Sequence, residues 1–422
     1  MTAPKEQRGL AYRILKILMI LTVSGVLAIA ALLMSLWLEH RSSVTLPAPT
    51  GPFAVGRAIY DWTDDAALDT LAPLPGAKRE LLVWIWYPSA GQSAVTDDYL
   101  PAAIRTAVAR DRPALISFLT RKLSKVHGHS LRDSDVSPQE RSYPVVIMRA
   151  GASAEVWNYS TLAEDLASHG YVVVAFDAPY RTNVVAFPDG RVITRTPENN
   201  PELCLERTGQ ERMRCAERIL TAWTGDIAFV LDRMQRLNAA ASGKFAGRLD
   251  MSRIGIFGHS FGGATAAKFC HEDARCTAGI DIDGAPLGSV IQTGIDRPFM
   301  FLMSDHSHES DPEAVQIMAN IHSIYDRLPA DGRSFIAIRG ANHFLFSDDG
   351  ALLKSHLVMR TLRVFGVLGI DGRRQLAVAA YCIYNFFDAY LKGAGASQMT
   401  ISSSIYPEIT FGPFDETSKS VR

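Results

Sequence analysis

The chain has 422 residues, 47% of them apolar, and a formal net charge of −1. That composition supplies a sizeable core, and a single large α/β domain can reach this length. The balanced charge excludes the basic excess of a nucleic-acid binder, so no nucleic-acid partner is expected.

Residues 17–38 (ILMILTVSGVLAIAALLMSLWL) carry no charge, and the run is long enough to cross a bilayer as a helix. Lys5, Arg8, Arg13 and Lys16 precede it; Glu39, His40 and Arg41 follow. The positive-inside rule then keeps the N-terminus in the cytoplasm and sends the remainder across the membrane. A cleaved signal peptide is the alternative, but its apolar region spans roughly 7–15 residues before a small-residue cleavage site. The longer run reads as an uncleaved anchor over residues 1–40, with the following domain periplasmic or extracellular. The polar, proline-rich stretch 41–52 (RSSVTLPAPTGP) reads as a linker. Residues 53–422 are then one folded domain.

From residue 80 onward, short apolar runs alternate with helical patterns. Residues 81–87, 144–148, 171–176, 253–257, 278–282, 299–303 and 335–338 are rich in Val, Ile, Leu and Phe and mostly continuous, which is how strands buried on both faces read. Between the first two, 104–126 mixes Ile104, Val108, Leu115, Leu119, Leu123 and Val126 with six basic residues. It is either a basic amphipathic segment that touches a membrane or covers a site, or a surface helix broken near Pro113. Further on, Ile219, Leu220, Trp223, Ile227, Val230, Leu231, Met234 and Leu237 recur at three- and four-residue spacing and form one apolar stripe. Residues 376–391 look like a final helix, with Gly393 as a cap. This alternation predicts a mostly parallel sheet covered by helices on both sides, with its chemistry at the C-terminal ends of the strands.

All five cysteines lie beyond the anchor. Outside the cytoplasm, Cys204 with Cys215 and Cys270 with Cys276 form two local disulfides, leaving Cys382 over. The alternative is five free or buried thiols.

After the run 253–257 come Gly258, His259, Ser260, Phe261 and Gly262, the G-x-S-x-G pattern of a nucleophile elbow. Glycines at 258 and 262 let a helix pack against the strand while the Ser260 hydroxyl points outward. The turn leaves the Phe261 N–H at a helix N-terminus, where it can stabilise an oxyanion. Serine needs a base, and the chain order of the α/β-hydrolase fold is serine, acid, histidine. His343 follows the last strand-like run. His259 sits on the elbow itself and reads as structural. Two acids compete to orient the base: Asp283, after the run 278–282, and Asp305, after 299–303. Alternation points Asp281 away from Asp283. The stretch Asp305-His306-Ser307-His308-Glu309 has a metal-like look, but a polar loop at the pocket rim is the better reading, so no metal is assigned.

The segments GHSFGGAT, GIDIDGAPLG and FIAIRGANHFLFSD, together with Trp86-Tyr87-Pro88 and Asp165-Leu166-Ala167-Ser168-His169-Gly170, resemble the plasma-type platelet-activating-factor acetylhydrolases and their bacterial relatives. The resemblance covers most of the chain from about residue 51. It implies an α/β-hydrolase fold, Asp283 as the acid beside Ser260 and His343, and no cofactor. It also implies phospholipid esters with a short or oxidised acyl chain as substrates. One departure stands out. Where that family has His-Gly-x-Gly, this chain has Ala150-Gly151-Ala152-Ser153, so the second oxyanion donor would be the Ala152 N–H. The alternatives are a cutinase-like polyester or lipid esterase using Asp305, and a non-catalytic binding protein on the same fold. The pattern does not set an oligomeric state.

Overall fold

The computed structural model describes residues 5–91, 95–305, 311–353, 364, 369–393 and 399–412. Its main sheet has 11 strands. In chain order they are β1 Ala54–Leu68, β2 Lys78–Ser89, β3 Val95–Thr96, β4 Leu131–Arg132, β5 Tyr143–Arg149, β6 Val172–Asp177, β7 Leu249–His259, β8 Cys276–Ile282, β9 Phe299–Met303, β10 Arg333–Ile338 and β11 Ile409–Phe411. Across the sheet they run β11-β10-β9-β8-β7-β5-β6-β2-β1-β4-β3. The block from β10 to β6 is parallel throughout. Antiparallel neighbours flank it: β11 on β10, β2 on β6, and β1 on β2. The sheet is therefore mixed, with the parallel part at its centre.

The helices used below are α1 Lys5–Arg41, α2 Ala102–Asp111, α3 Ala114–Leu119, α4 Ser160–Ser168, α5 Gly209–Ala239, α6 Phe261–Glu272, α7 Pro312–Tyr325 and α8 Gly372–Leu391. Strand β2 shows why the apolar runs are continuous. Its Leu82, Trp84 and Trp86 enter a core with Leu162 of α4 and Ile383 and Phe387 of α8. Its Leu81, Val83 and Ile85 enter a second core with Ile227 of α5, Phe269 of α6 and Ile321 of α7. A strand of period two with helices on both faces has no polar side to show. Truncating a fully buried indole such as Trp84 would cost about 3–5 kcal/mol.

The helix α1 is the one described helix long and apolar enough to span a membrane, by length and composition. Its end is tied to the domain. Glu39 pairs with Arg121 at 2.8 Å, the Lys122 N–H donates to His40 O at 2.9 Å, and His40 Nδ1 lies 2.9 Å from Thr120 O. The stretch read as a linker is built in as well. Val44 and Thr45 pair with Val126 and His127, Leu46 is buried, and Thr50 bonds to Asp165. The segment 104–126 is not one helix. It breaks at Pro113 into α2 and α3, because proline removes a backbone donor and sets its own φ, and it ends in a 3-10 turn, Leu123–Lys125, that leads into the short pairing at Val126.

Candidate active site

Strand β7 passes through Ser260 into α6. Ser260 has φ 56° and ψ −122°, a backbone region costly for a residue with a Cβ. The turn is held from several sides. The Ser260 N–H donates to Ile282 O at 2.8 Å, and Ser260 O accepts from the Gly263 and Ala264 N–H groups. The glycines are steric necessities: a Cβ at Gly258 would fall on the backbone of Gly262, and one at Gly262 would lie 2.5 Å from both Ala150 O and Arg149 O.

Asp283 follows β8 with φ 53°, and its N–H donates to Leu302 O at 2.9 Å on the neighbouring strand. Its carboxylate accepts from the Ser304 N–H at 2.8 Å and the Ser304 hydroxyl at 2.7 Å. It also lies 2.7 Å from His343 Nδ1. The carboxylate side chain is buried, while the imidazole is 35% exposed. A carboxylate at Nδ1 fixes the tautomer with the proton there, leaving Nε2 as an acceptor. His343 opens the short turn His343–Phe346 after β10. The preceding Asn342 is clamped by Gln375 of α8, through Asn342 N–H to Gln375 Oε1 at 3.0 Å and Gln375 Nε2 to Asn342 O at 2.8 Å.

The two competing acids are placed differently. Asp305 accepts the Gly340 N–H at 2.7 Å and braces the turn that leads to His343. Asp281 is wholly buried, and its Oδ1 accepts the Gly284 N–H at 2.8 Å; burial holds its carboxyl well above the usual range.

Ala152 lies in the loop after β5. Ser260, Asp283, His343, Phe261 and Ala152 all line one cavity of about 350 Å³. Neither the Phe261 nor the Ala152 N–H has a hydrogen-bond partner among the described residues. Two groups that sequence reasoning missed knit this region together. The Tyr159 hydroxyl accepts the Gly151 N–H at 3.3 Å and lies 2.8 Å from His259 Nδ1. The His259 ring centroid is 4.6 Å from that of His343. Burial, with the nearby His343, pushes His259 down to about 3, so it stays neutral beside the second imidazole. Ser304 is the other missed group; its only sequence signal is its place at the end of a strand.

The structure joins Cys204 to Cys215 and Cys270 to Cys276, with Cys382 buried and free. Cys204 belongs to the cavity wall. His306, Ser307, His308 and Glu309 of the metal-like stretch lie outside the described residues. Among the described residues no three His, Cys, Asp or Glu side chains converge as a metal site.

Comparison with known proteins adds family information. The family model described as "Platelet-activating factor acetylhydrolase, isoform II" matches residues 38–393. A protein of Arthroderma benhamiae, named as a probable 1-alkyl-2-acetylglycerophosphocholine esterase, is 25% identical over 402 residues, covering 88% of this chain and 94% of the relative. The platelet-activating factor acetylhydrolase of Cavia porcellus is 25% identical over 350 residues, covering 74% of this chain and 73% of its own. Among solved structures, a ferulic acid esterase from Streptomyces cinnamoneus superposes with a TM-score of 0.69 at 26% identity, covering 88% of this chain and 99% of that one.

Proposed function

The chain belongs to the platelet-activating factor acetylhydrolase isoform II family, and from that premise we propose that it hydrolyses carboxylic esters through an acyl-enzyme formed on Ser260. The observation that carries this reading is the 2.7 Å contact between Asp283 and His343 Nδ1 in the cavity that Ser260 also lines. In this mechanism the Ser260 hydroxyl attacks the ester carbonyl and passes its proton to His343 Nε2. The oxyanion is received by the Phe261 and Ala152 N–H groups, both free of other partners among the described residues. The alcohol leaves with the proton from His343. Water, deprotonated by the same nitrogen, then releases the acid and restores the serine. Asp283 holds the imidazole tautomer and stabilises its charged form.

The proposed substrates are phospholipid-type esters with a short or oxidised acyl chain. The names of the two curated relatives support the acetyl-ester part of this class. The chain is further proposed to stay anchored by α1, with residues 53–422 as the catalytic domain outside the cytoplasm. The two disulfides and the bases before the apolar run support that orientation.

The test is hydrolysis of p-nitrophenyl acetate, butyrate and octanoate, and of a 1-alkyl-2-acetyl glycerophosphocholine, by the full chain in detergent beside Ser260→Ala. Serine-dependent turnover that falls from acetate to octanoate is expected. Preference for octanoate would overturn the short-acyl assignment, and turnover retained without Ser260 would overturn the mechanism.

A further inference from the structure

The loop 150–153 lacks the histidine and second glycine of the pattern it resembles, so something else has to hold it. It lies close to the nucleophile: a Cβ on Gly151 would come 3.3 Å from Ser260 Cβ and 3.4 Å from His259 Nδ1. Peptide units are rigid planes linked by two soft dihedrals per residue, so a unit is aimed by fixing the units on either side of it. On one side, the 150–151 peptide is fixed by the Gly151 N–H on the Tyr159 hydroxyl at 3.3 Å. On the other, the 152–153 peptide is fixed by Arg195, whose guanidinium donates to Ala152 O at 2.6 Å. The unit between them carries the Ala152 N–H.

Arg195 reaches this point from its own support. It follows an antiparallel hairpin in which Val192–Thr194 pairs with Val184–Ala186, and its N–H donates to Asn183 O at 3.1 Å. A second contact secures the same loop. The Ser153 hydroxyl bonds to Glu202, and Glu202 opens a short helical turn whose Cys204 is joined to Cys215 of α5.

We propose that Arg195 is a positioning residue for ester hydrolysis: by gripping Ala152 O it aims the Ala152 N–H at the carbonyl oxygen of the reacting ester, with the Ser153–Glu202 contact as its second hold. This rests on the proposed Ser260 acyl-enzyme mechanism, with the Ala152 N–H as its second oxyanion donor. A donor aimed at the oxyanion acts on the transition state and not on ground-state binding, so its misplacement lowers kcat and leaves KM.

The experiment compares the full chain with Arg195→Gln and Arg195→Lys on p-nitrophenyl acetate, with Ser260→Ala as the control and a melting curve for each. Removing a donor outright costs 10²–10³ in kcat, and a misplacement of about 1 Å costs up to 10². Arg195→Gln should therefore lose roughly 10- to 100-fold in kcat with KM and melting temperature unchanged, and Arg195→Lys should recover part of the loss. Wild-type kcat in Arg195→Gln would overturn the proposal. So would a rise in KM at constant kcat, or a loss that tracks a fall in melting temperature without rescue by lysine. Turnover that survives in Ser260→Ala would instead overturn the reading beneath it, so the two failures are distinct.

Discussion

Asp283 Oδ2 stands 2.7 Å from His343 Nδ1, while Ser304 holds the same carboxylate through both its N–H and its hydroxyl. Asp305 spends its carboxylate on the Gly340 N–H. Asp283→Asn should therefore drop kcat by roughly 10⁴, the scale seen when an orienting carboxylate is made an amide in a serine–histidine–aspartate site. Asp305→Asn should retain most activity. Steady-state kinetics on both variants decides between the acids, and the reverse ranking would favour the cutinase-like reading.

The elbow should be intolerant of a single methyl group. At Gly262 an added Cβ would meet Ala150 O and Arg149 O at 2.5 Å, and both are main-chain atoms that cannot turn aside. Gly262→Ala should lower stability by a few kcal/mol, about 1–3 by the usual cost of overpacking, and should also displace the Ala152 loop. A denaturant titration read beside kcat checks this. Unchanged stability would mean the turn is looser than these contacts imply.

Stability should also depend on pH, with buried carboxyls and a buried histidine acting in opposite senses. Burial pushes Glu155 up to about 8, aided by the nearby Asp177, and pushes Asp177 up to about 7. Unfolded carboxyls titrate near 4, so the folded state holds protons that the unfolded state gives up. Their contribution is full below about pH 4 and is lost as pH rises through about 7 to 8. His259 has the opposite sign. Its folded value is lowered to about 3 by burial and by His343, so its contribution is present above about pH 6.5 and is lost as pH falls. Melting temperature should fall as pH rises from about 6.5 to 8, and Glu155→Gln with Asp177→Asn should make that limb shallower. An unchanged slope in the double variant would contradict the assignment.

The mature N-terminus should lie upstream of Glu39. Cleavage near residue 40 would remove the Glu39–Arg121 pair and the His40 contacts to Thr120 and Lys122. N-terminal sequencing of the membrane-extracted protein tests this, and a start near residue 40 would refute the anchor.

The parallel centre of the sheet was legible because strands covered on both faces are apolar throughout. Each of the seven expected runs overlaps an observed strand, from 81–87 within Lys78–Ser89 to 335–338 within Arg333–Ile338, with Tyr171 of the run 171–176 the one residue outside. Strand β1 was not legible. Ala54–Leu68 carries Arg57, Asp61, Asp64 and Asp65 and alternates irregularly between buried and exposed, because it stands toward one side of the sheet, beyond the parallel block. The elbow was readable because its five-residue pattern is a signature in itself, although only Gly258 is demanded by a neighbour within that pattern; Gly262 is demanded by Arg149 and Ala150 on another strand and its following loop. Ser304, Tyr159 and Arg195 were not, since each acts across a long sequence separation and their residue types carry no signature of their own. The choice between Asp283 and Asp305 came from the family resemblance and not from spacing, because both end adjacent strands.

Trapping the acyl-enzyme would show which residue carries the acyl group. The full chain would be mixed with p-nitrophenyl acetate, quenched in acid during the burst, and digested to map the acylated peptide. An acetyl group is expected on the peptide containing Ser260, absent in Ser260→Ala and absent from every other peptide. Steady turnover in Ser260→Ala, or an acetyl group carried by a different residue, would contradict it.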